Sequence, residues 1–437
     1  MSGGGFDLGS HAVGRGYATA DCPGTGGVLR EREDDFRVTE IPLYEPGGRG
    51  EHLYLFVEKT GLSTLDAVSI LARHFGVRTS AIGYAGLKDK RAITRQWMSV
   101  HVPGKGAGDF PSIRHPRLSV LLADMHENKL RRGHLAGNSF VITIRETSAT
   151  NVTRAEKVLR RLERTGVPNR IAEQRFGLGG RNHLVARAIV REEFEDAARL
   201  LFMPTDGGRG ADRLSAGREA FARGEYERAH ELWPASLHAE RRVLRALADG
   251  KNWRRAIGTM GDAEIGFLYS ALQSSMFNAV LDARLAAGTI GTLVEGDVAM
   301  HRHGRTMFDV TREVLDAPDT ASRLDQMEIG ATGPMWGTGM RRAGGLVGEG
   351  EDAAFAAMGL TPDNLASFEA RVRNAPAGTR RPLRIAIEHI GVEAGIDERG
   401  HYVRCSFDLP RGAFATTVMR EVVKPEAIGD DDEDAGD

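Results

Sequence analysis

Strand-like patterning at both ends of this chain encloses a long middle that reads as helix. Phe140 to Arg145 places Phe140, Ile142 and Ile144 on one face, and Val403, Cys405, Phe407 and Leu409 repeat that alternation near the other end. A period of two predicts half-buried strands. Phe36-Arg37-Val38-Thr39-Glu40 and His52 to Glu58 read as two more. Residues 185–290 are instead rich in Ala and Arg at helical spacing, with the clearest helix running from Phe267 to about Ala287. Such an order fits an α/β core interrupted by an inserted domain. The 437 residues allow two or three domains, taking roughly 100–200 residues for each.

Local signals fill in the core. Thr64 is placed to cap a helix carrying Leu65, Val68, Leu71 and Phe75, with Gly76 as its stop. Residues 153–165 predict a helix with Ala155, Val158, Leu159 and Leu162 inward, closed by Gly166. Ile82-Gly83-Tyr84-Ala85-Gly86-Leu87 is a short apolar run that ends in a dense polar cluster, as a strand delivering a functional loop does. Residues 1–26 are rich in Gly and small side chains and are expected to be poorly ordered. The tail 427–437 is expected to be an acidic, disordered segment.

Composition removes several classes of function. Hydrophobic residues make up 41% and charged residues 27%, which excludes wholesale disorder. No run approaches the ~20 apolar residues of a membrane span; the best, Phe267 to Ala286, is cut by Gln273, Asp282 and Arg284. Met1-Ser2-Gly3-Gly4-Gly5 lacks the basic start and apolar core of a signal peptide, so the cytoplasm is the expected compartment. Cys22 and Cys405 make neither a disulfide framework nor a zinc ribbon. His301-Arg302-His303 offers two ligands without a third nearby. There is no Walker A sequence, no Gly-x-Ser-x-Gly and no His-Glu-x-x-His. No metal, nucleotide cofactor or membrane partner is therefore expected. Net charge is −2, but Asp430–Asp437 holds six acids, so the remainder is +4. The bases comprise 50 Arg and 8 Lys. Arg suits phosphate oxygens and stacks on bases, although genomic base composition produces the same bias.

Three segments concentrate chemistry. In Ala85-Gly86-Leu87-Lys88-Asp89-Lys90-Arg91-Ala92-Ile93-Thr94-Arg95-Gln96-Trp97 one acid sits among several cations. Cations favour the ionised form of a carboxylate, and an ionised, positioned Asp serves as nucleophile or base. A solvated turn with a surface ion pair fits the same residues. Lys129-Leu130-Arg131-Arg132-Gly133-His134-Leu135-Ala136-Gly137-Asn138-Ser139-Phe140 combines cations, glycines, an amide and an aromatic. That set suits an unstacked base, with Asn138 reading an edge and Phe140 stacking; on its own strand Phe140 also reads as a core aromatic. Gly166 to Gly177 is a polar loop with too many functional side chains for a plain linker.

Together, in order, these segments resemble the TruD family of pseudouridine synthases, from about Arg30 to Glu421. The matching stretches are Glu51-His52-Leu53 with Val57-Glu58-Lys59, Ala85 to Thr94, Gly137-Asn138-Ser139-Phe140 and Val167-Pro168-Asn169 with Glu173-Gln174-Arg175-Phe176-Gly177. They continue with Ala271-Leu272-Gln273-Ser274, Phe277-Asn278, Leu409 to Thr417, and Arg420-Glu421. The resemblance implies a catalytic core with a mixed, largely antiparallel sheet flanked by helices, over 27–165 and 375–426. It implies an inserted, mostly helical family-specific domain over 166–374. The segment from about Thr205 to Asp262 is longer than in compact members and reads as extra helices.

The resemblance also implies site residues: Asp89 as the catalytic residue, Phe140 facing the target base and Asn138 as a further site residue. The family usually places a basic residue, near the catalytic Asp, before a Pro-Glu-Asp-Phe stretch; here that stretch is Glu33-Asp34-Asp35-Phe36, without the Pro, and the basic residue is Arg30. Lys88, Lys90, Arg131 and Arg132 are the candidate phosphate contacts. The implied activity converts uridine to pseudouridine in tRNA, at position 13 in bacterial members, by a monomer. The reaction breaks N1–C1′ and makes C5–C1′ with no redox change, so it requires no cofactor. The carboxylate has three openings: C6 of the ring, C1′, or the proton on C2′. Two other readings fit the residues, a non-catalytic RNA-binding protein or chaperone on the same fold, and a metal-dependent phosphoryl transferase.

Overall fold

The computed structural model describes residues 16–203 and 211–424. The chain divides into two compact units, one of Ala18–Val167 with the chain from Ile385 onward, the other centred on Pro168–Arg384.

The first unit is built on a sheet of nine strands: β1 (Val28–Leu29), β2 (Phe36–Pro42), β3 (His52–Thr60), β4 (Ile82–Tyr84), β5 (Ile93–His101), β6 (Leu118–His126), β7 (Leu135–Arg145), β8 (Glu388–Asp397) and β9 (Gly400–Pro410). The order is β8-β9-β7-β2-β5-β3-β6, with β1 on β7 and β4 on β5. Only β2 and β5 run parallel; the other pairs are antiparallel. The strands thus form a mixed, largely antiparallel sheet. The alternations read from sequence define its core face. Phe36 and Val38, then Phe140, Ile142 and Ile144, then Val403, Cys405, Phe407 and Leu409 all turn inward. Helices α2 (Val152–Thr165) and α3 (Ala415–Val423) cover them with Val158, Leu159, Leu162, Val418 and Val422. Burial of such side chains contributes ~1.5–3 kcal/mol each.

Helix α1 (Thr64–Phe75) covers a second patch of Leu53, Leu55, Val57, Met98 and Val100 with Ala67, Val68 and Leu71. Its N-cap is Ser63, in a capping box with Asp66, and Gly76 closes it at φ 65°. The expected cap, Thr64, is buried and faces Gln96 instead. Leu65 is exposed, because it sits one residue off the buried stripe.

The expectation of a loose segment through residue 26 is corrected from Ala18 onward. The N–H groups of Ala18 and Thr19 donate to the Glu421 carboxylate on α3, and Lys424 Nζ donates to the Thr19 and Cys22 carbonyls. Small residues let the backbone lie close enough for these bonds. Residues 1–15 and the acidic tail 427–437 lie outside the described residues.

In the second unit, the helix Asp262–Ala286 packs on Asn182–Val190, with Leu268, Tyr269, Leu272 and Met276 in the largest core. The long stretch read as extra helices contains Ala211–Ala222, Tyr226–Leu232, His238–Ala248 and Trp253–Gly258. A four-stranded sheet, ordered Met307–Asp309, Val298–His301, Ile329–Met335 and Thr379–Pro382, completes it. Among the described residues no helix is long and apolar enough to cross a membrane.

Candidate active site

The polar cluster after β4 forms a loop over the sheet, and buried contacts fix its path. Lys88 turns inward. Its Nζ lies 2.8 Å from Glu40 Oε2, with side-chain exposures of only 4% and 1%. Its N–H donates to Thr64 Oγ1 at 2.9 Å, and Thr64 donates in turn to Gln96 Oε1. Gln96 Nε2 donates to the Gly86 carbonyl. Lys59, at the end of β3, donates from Nζ to the carbonyls of Leu62 and Asp89. The backbone from Gly86 to Asp89 is therefore held by three side chains from three elements, Lys59 of β3, Thr64 of the helix Thr64–Phe75 and Gln96 of β5.

Those contacts leave Asp89 facing outward with its side chain 50% exposed. Arg30 Nη2 donates to Asp89 Oδ2 at 3.2 Å across 59 positions of sequence. The Arg30 guanidinium also lies 4.0 Å above the Phe36 ring, a favourable cation–π placement. Arg30 has φ 60°, in the left-handed region that a bulky residue seldom adopts. The turn that follows is pinned by Asp35, which accepts from the Arg32 N–H and pairs with buried Arg145.

Beneath the loop, strand register sets the floor. Val38 lies opposite both Phe140 and Thr94, and Glu40 lies opposite Asn138. Phe140 is packed between Phe36 at 6.2 Å and Phe407 at 5.7 Å and is 6% exposed. It is a core side chain rather than an open stacking platform. Asn138 Oδ1 and Thr94 Oγ1 are buried without a hydrogen-bond partner. Unpaired buried acceptors are uncommon and costly, and both sit on the sheet face that the Asp89 loop crosses.

The electrostatics follow from burial. Burial pushes the Glu40 carboxyl above its ordinary value, against the pull of Lys88 and the Trp97 N–H. Burial, then repulsion from Lys88, pulls the Lys59 ammonium down to about 8, with Asp89 and Asp66 opposing.

The residues expected at a site are thus sorted by the fold. Arg30 and Asp89 come together. Asn138 and Phe140 lie beneath the same loop, on the floor of the sheet. Lys90, Arg131 and Arg132 are exposed, and Arg132 donates to the Tyr84 hydroxyl at 2.8 Å. Lys88 departs from its expected role as a phosphate contact: Glu40 is a carboxylate inside the protein and takes Lys88 as its counter-ion. Glu40 itself escaped the sequence reading, although it falls on the inward parity of Phe36 and Val38, where an acid requires a partner. Lys59, Thr64 and Gln96 were missed as supports because their partners are backbone groups and amides that spacing does not reveal. No three His, Cys, Asp or Glu side chains gather as a metal site among the described residues.

The family model described as tRNA pseudouridine synthase D (TruD) matches residues 12–422. A curated tRNA pseudouridine synthase D of Geobacter sulfurreducens is 40% identical over 94% of this chain and 98% of its own. That of Thermus thermophilus is 34% identical over 94% of this chain and 93% of its own. A crystal structure titled as a putative TruD from Methanosarcina mazei superposes with a TM-score of 0.81 at 27% identity, over 96% of this chain and 98% of that one. A match spanning both compact units and both halves of the split sheet means that the chain belongs to the TruD family of tRNA pseudouridine synthases.

Proposed function

We propose that this protein isomerises uridine 13 of tRNA to pseudouridine in the cytoplasm, as a monomer, with Asp89 as the catalytic residue. The observation that carries the reading is the outward Asp89 carboxylate, hydrogen-bonded by Arg30 while its backbone is anchored by Lys59. A reacting carboxylate must be accessible yet fixed, and this loop provides both conditions. The target base leaves its stack at a cost of a few kcal/mol. It enters over the floor of the sheet, where Asn138 is the residue that reads an edge of the uracil. Phe140 forms part of that floor and is the aromatic that faces the base. Arg30 orients Asp89 and balances its charge. Lys90, Arg131 and Arg132 contact phosphates, which gives affinity and register but not base identity.

The balance of the reaction is internal. The N1–C1′ bond breaks, the C5–C1′ bond forms, and the hydrogen on C5 is released as a proton while N1 gains one. The test uses unfractionated bacterial tRNA carrying tritium at C5 of uridine, with EDTA present. Wild-type protein releases tritium, and the product carries pseudouridine at position 13. Asp89→Asn releases none but still binds the RNA, because an amide fills the same space without the nucleophilicity or basicity of the carboxylate. Substantial release by Asp89→Asn would remove Asp89 from the chemistry, and release mapped to another uridine would remove position 13.

A further inference from the structure

The turn between β6 and β7 faces two ways. On one side the Gly133 N–H donates to the Ala85 carbonyl at 2.8 Å, at the root of the Asp89 loop. On the other side the same turn forms one wall of a surface groove of about 460 Å³. That volume falls within the range of small-molecule pockets. Tyr44, His126, Asn128, Lys129, Arg131 and His134 line it, with Glu45 beside Tyr44.

The chemistry of this groove is that of a nucleotide subsite. The Tyr44 and His126 rings stack at 5.2 Å and 22°, and the His134 ring stands edge-on to Tyr44 at 5.8 Å. The Tyr44 hydroxyl and His134 Nδ1 share a 2.8 Å hydrogen bond, which fixes both rings. His126 is fixed in turn, with the Gly47 N–H donating to its Nδ1. The Tyr54 hydroxyl donates to the Asn128 carbonyl, so the turn itself is held from below. Rigid aromatic faces of this kind bind a base without a large ordering cost. Lys129 and Arg131 supply positive charge against the one carboxylate of Glu45. The Lys129 Nζ donates to the Ser80 carbonyl, which leaves two N–H donors for phosphate oxygens. None of these groups takes part in the contacts that hold Asp89.

We infer that this groove holds a second, unstacked nucleotide of the RNA substrate, with its base against the Tyr44 side and its phosphate at Lys129 and Arg131. The proposal rests on the reading of this protein as an RNA-modifying enzyme. It adds a subsite that grips the strand beside the reacting uridine and fixes which base reaches Asp89.

The test measures binding, not turnover, using full-length protein and end-labelled unfractionated bacterial tRNA at several salt concentrations. Tyr44→Ala should weaken binding roughly 5- to 100-fold, the effect of losing one stacked base. Tyr44→Phe keeps the ring and should stay within about threefold of wild type if stacking is the interaction. The double variant Lys129→Ala/Arg131→Ala provides an independent reading should Tyr44→Ala fail to fold: its plot of log affinity against log salt should be shallower by about 1–2 units. Wild-type affinity and slope in both the folded Tyr44→Ala and the double variant would overturn the proposal. So would adenosine 5′-monophosphate binding in the groove with tRNA affinity unaffected by the substitutions, which would mark a site for free nucleotide. Because turnover is not the readout, absence of tritium release by wild type would sink the synthase reading and leave this result intact.

Discussion

Lys88 and Asp89 are consecutive, yet their side chains point to opposite sides of the loop: Lys88 into the protein onto Glu40, Asp89 outward beneath Arg30. The inward lysine is the anchor that allows its neighbour to stand exposed without drifting. Leu87, one residue earlier, is also turned out and is 63% exposed, so the loop presents an apolar side chain and a carboxylate close together to whatever docks there.

The Lys88–Glu40 pair predicts a non-additive stability pattern. Lys88→Met strands a buried carboxylate and should cost about 3–5 kcal/mol. Adding Glu40→Gln removes the stranded charge, so the double variant should recover much of that loss. Urea denaturation of both single variants and the double variant gives the coupling directly. Additive losses would mean the two groups do not depend on each other.

Arg30 should matter to the rate more than to the fold. Removing a charge-assisted hydrogen bond costs about 1.5–3 kcal/mol, so Arg30→Gln should slow single-turnover tritium release by roughly 10- to 150-fold. Arg30→Lys keeps the charge and should recover part of that rate. An unchanged rate in Arg30→Gln would leave the contact with Asp89 as a surface pair of no catalytic weight.

Phe140 separates packing from catalysis. With its ring between Phe36 and Phe407, Phe140→Ala should destabilise the protein by about 3–5 kcal/mol. Phe140→Leu should retain most of the stability while losing the flat ring. If the base rests on that ring, Phe140→Leu loses single-turnover rate after correction for the folded fraction. Full rate in folded Phe140→Leu would confine Phe140 to the core.

Lys59 links stability to pH. Its ordinary pKa of 10.5 is pulled down to about 8 in the folded protein. Between about pH 8 and 10.5 the unfolded chain therefore carries a proton that the folded protein lacks, so this residue's contribution to stability rises with pH across that window. Urea midpoints of wild type and Lys59→Met, compared from pH 7 to 10.5, should shift in favour of wild type as the pH rises. A constant difference would show that the buried amine does not titrate in that range.

Much of the fold was legible because it depends on periodicity. The alternations at Phe36–Glu40, Phe140–Arg145 and Val403–Leu409 become β2, β7 and β9, and the helices Thr64–Phe75 and Val152–Thr165 begin and end close to the residues that signalled them, while the long helix starts at Asp262, ahead of the expected Phe267. What stayed hidden depends on partners far apart in sequence. Glu40 and Lys88 explain each other only once β2 lies next to β5. The Ala18–Cys22 stretch looked loose because its bonds go to Glu421 and Lys424, at the far end of the chain. Asp89 was legible as a cluster of charge, and its nearness to Arg30 was implied only by the family resemblance; the turn that Asp35 and Arg145 clamp carries Arg30 to it.

The seat of β9 in the sheet has a consequence for how the protein is made. β9 lies between β8 and β7, and Phe407 supports Phe140 from there. On the ribosome, β7 emerges long before this neighbour does. At about 5–20 residues per second, the edge of β7 waits roughly 13–50 s for the strand that covers it. During that interval Pro168–Arg384, the bulk of the other unit, is synthesised while the sheet remains open. An open edge is a target for chaperones and for mispairing. A chain released before residue 400 lacks the strand that backs Phe140, so no finished floor exists until β9 has been made. The late strand makes a finished floor a certificate that synthesis has passed Pro410.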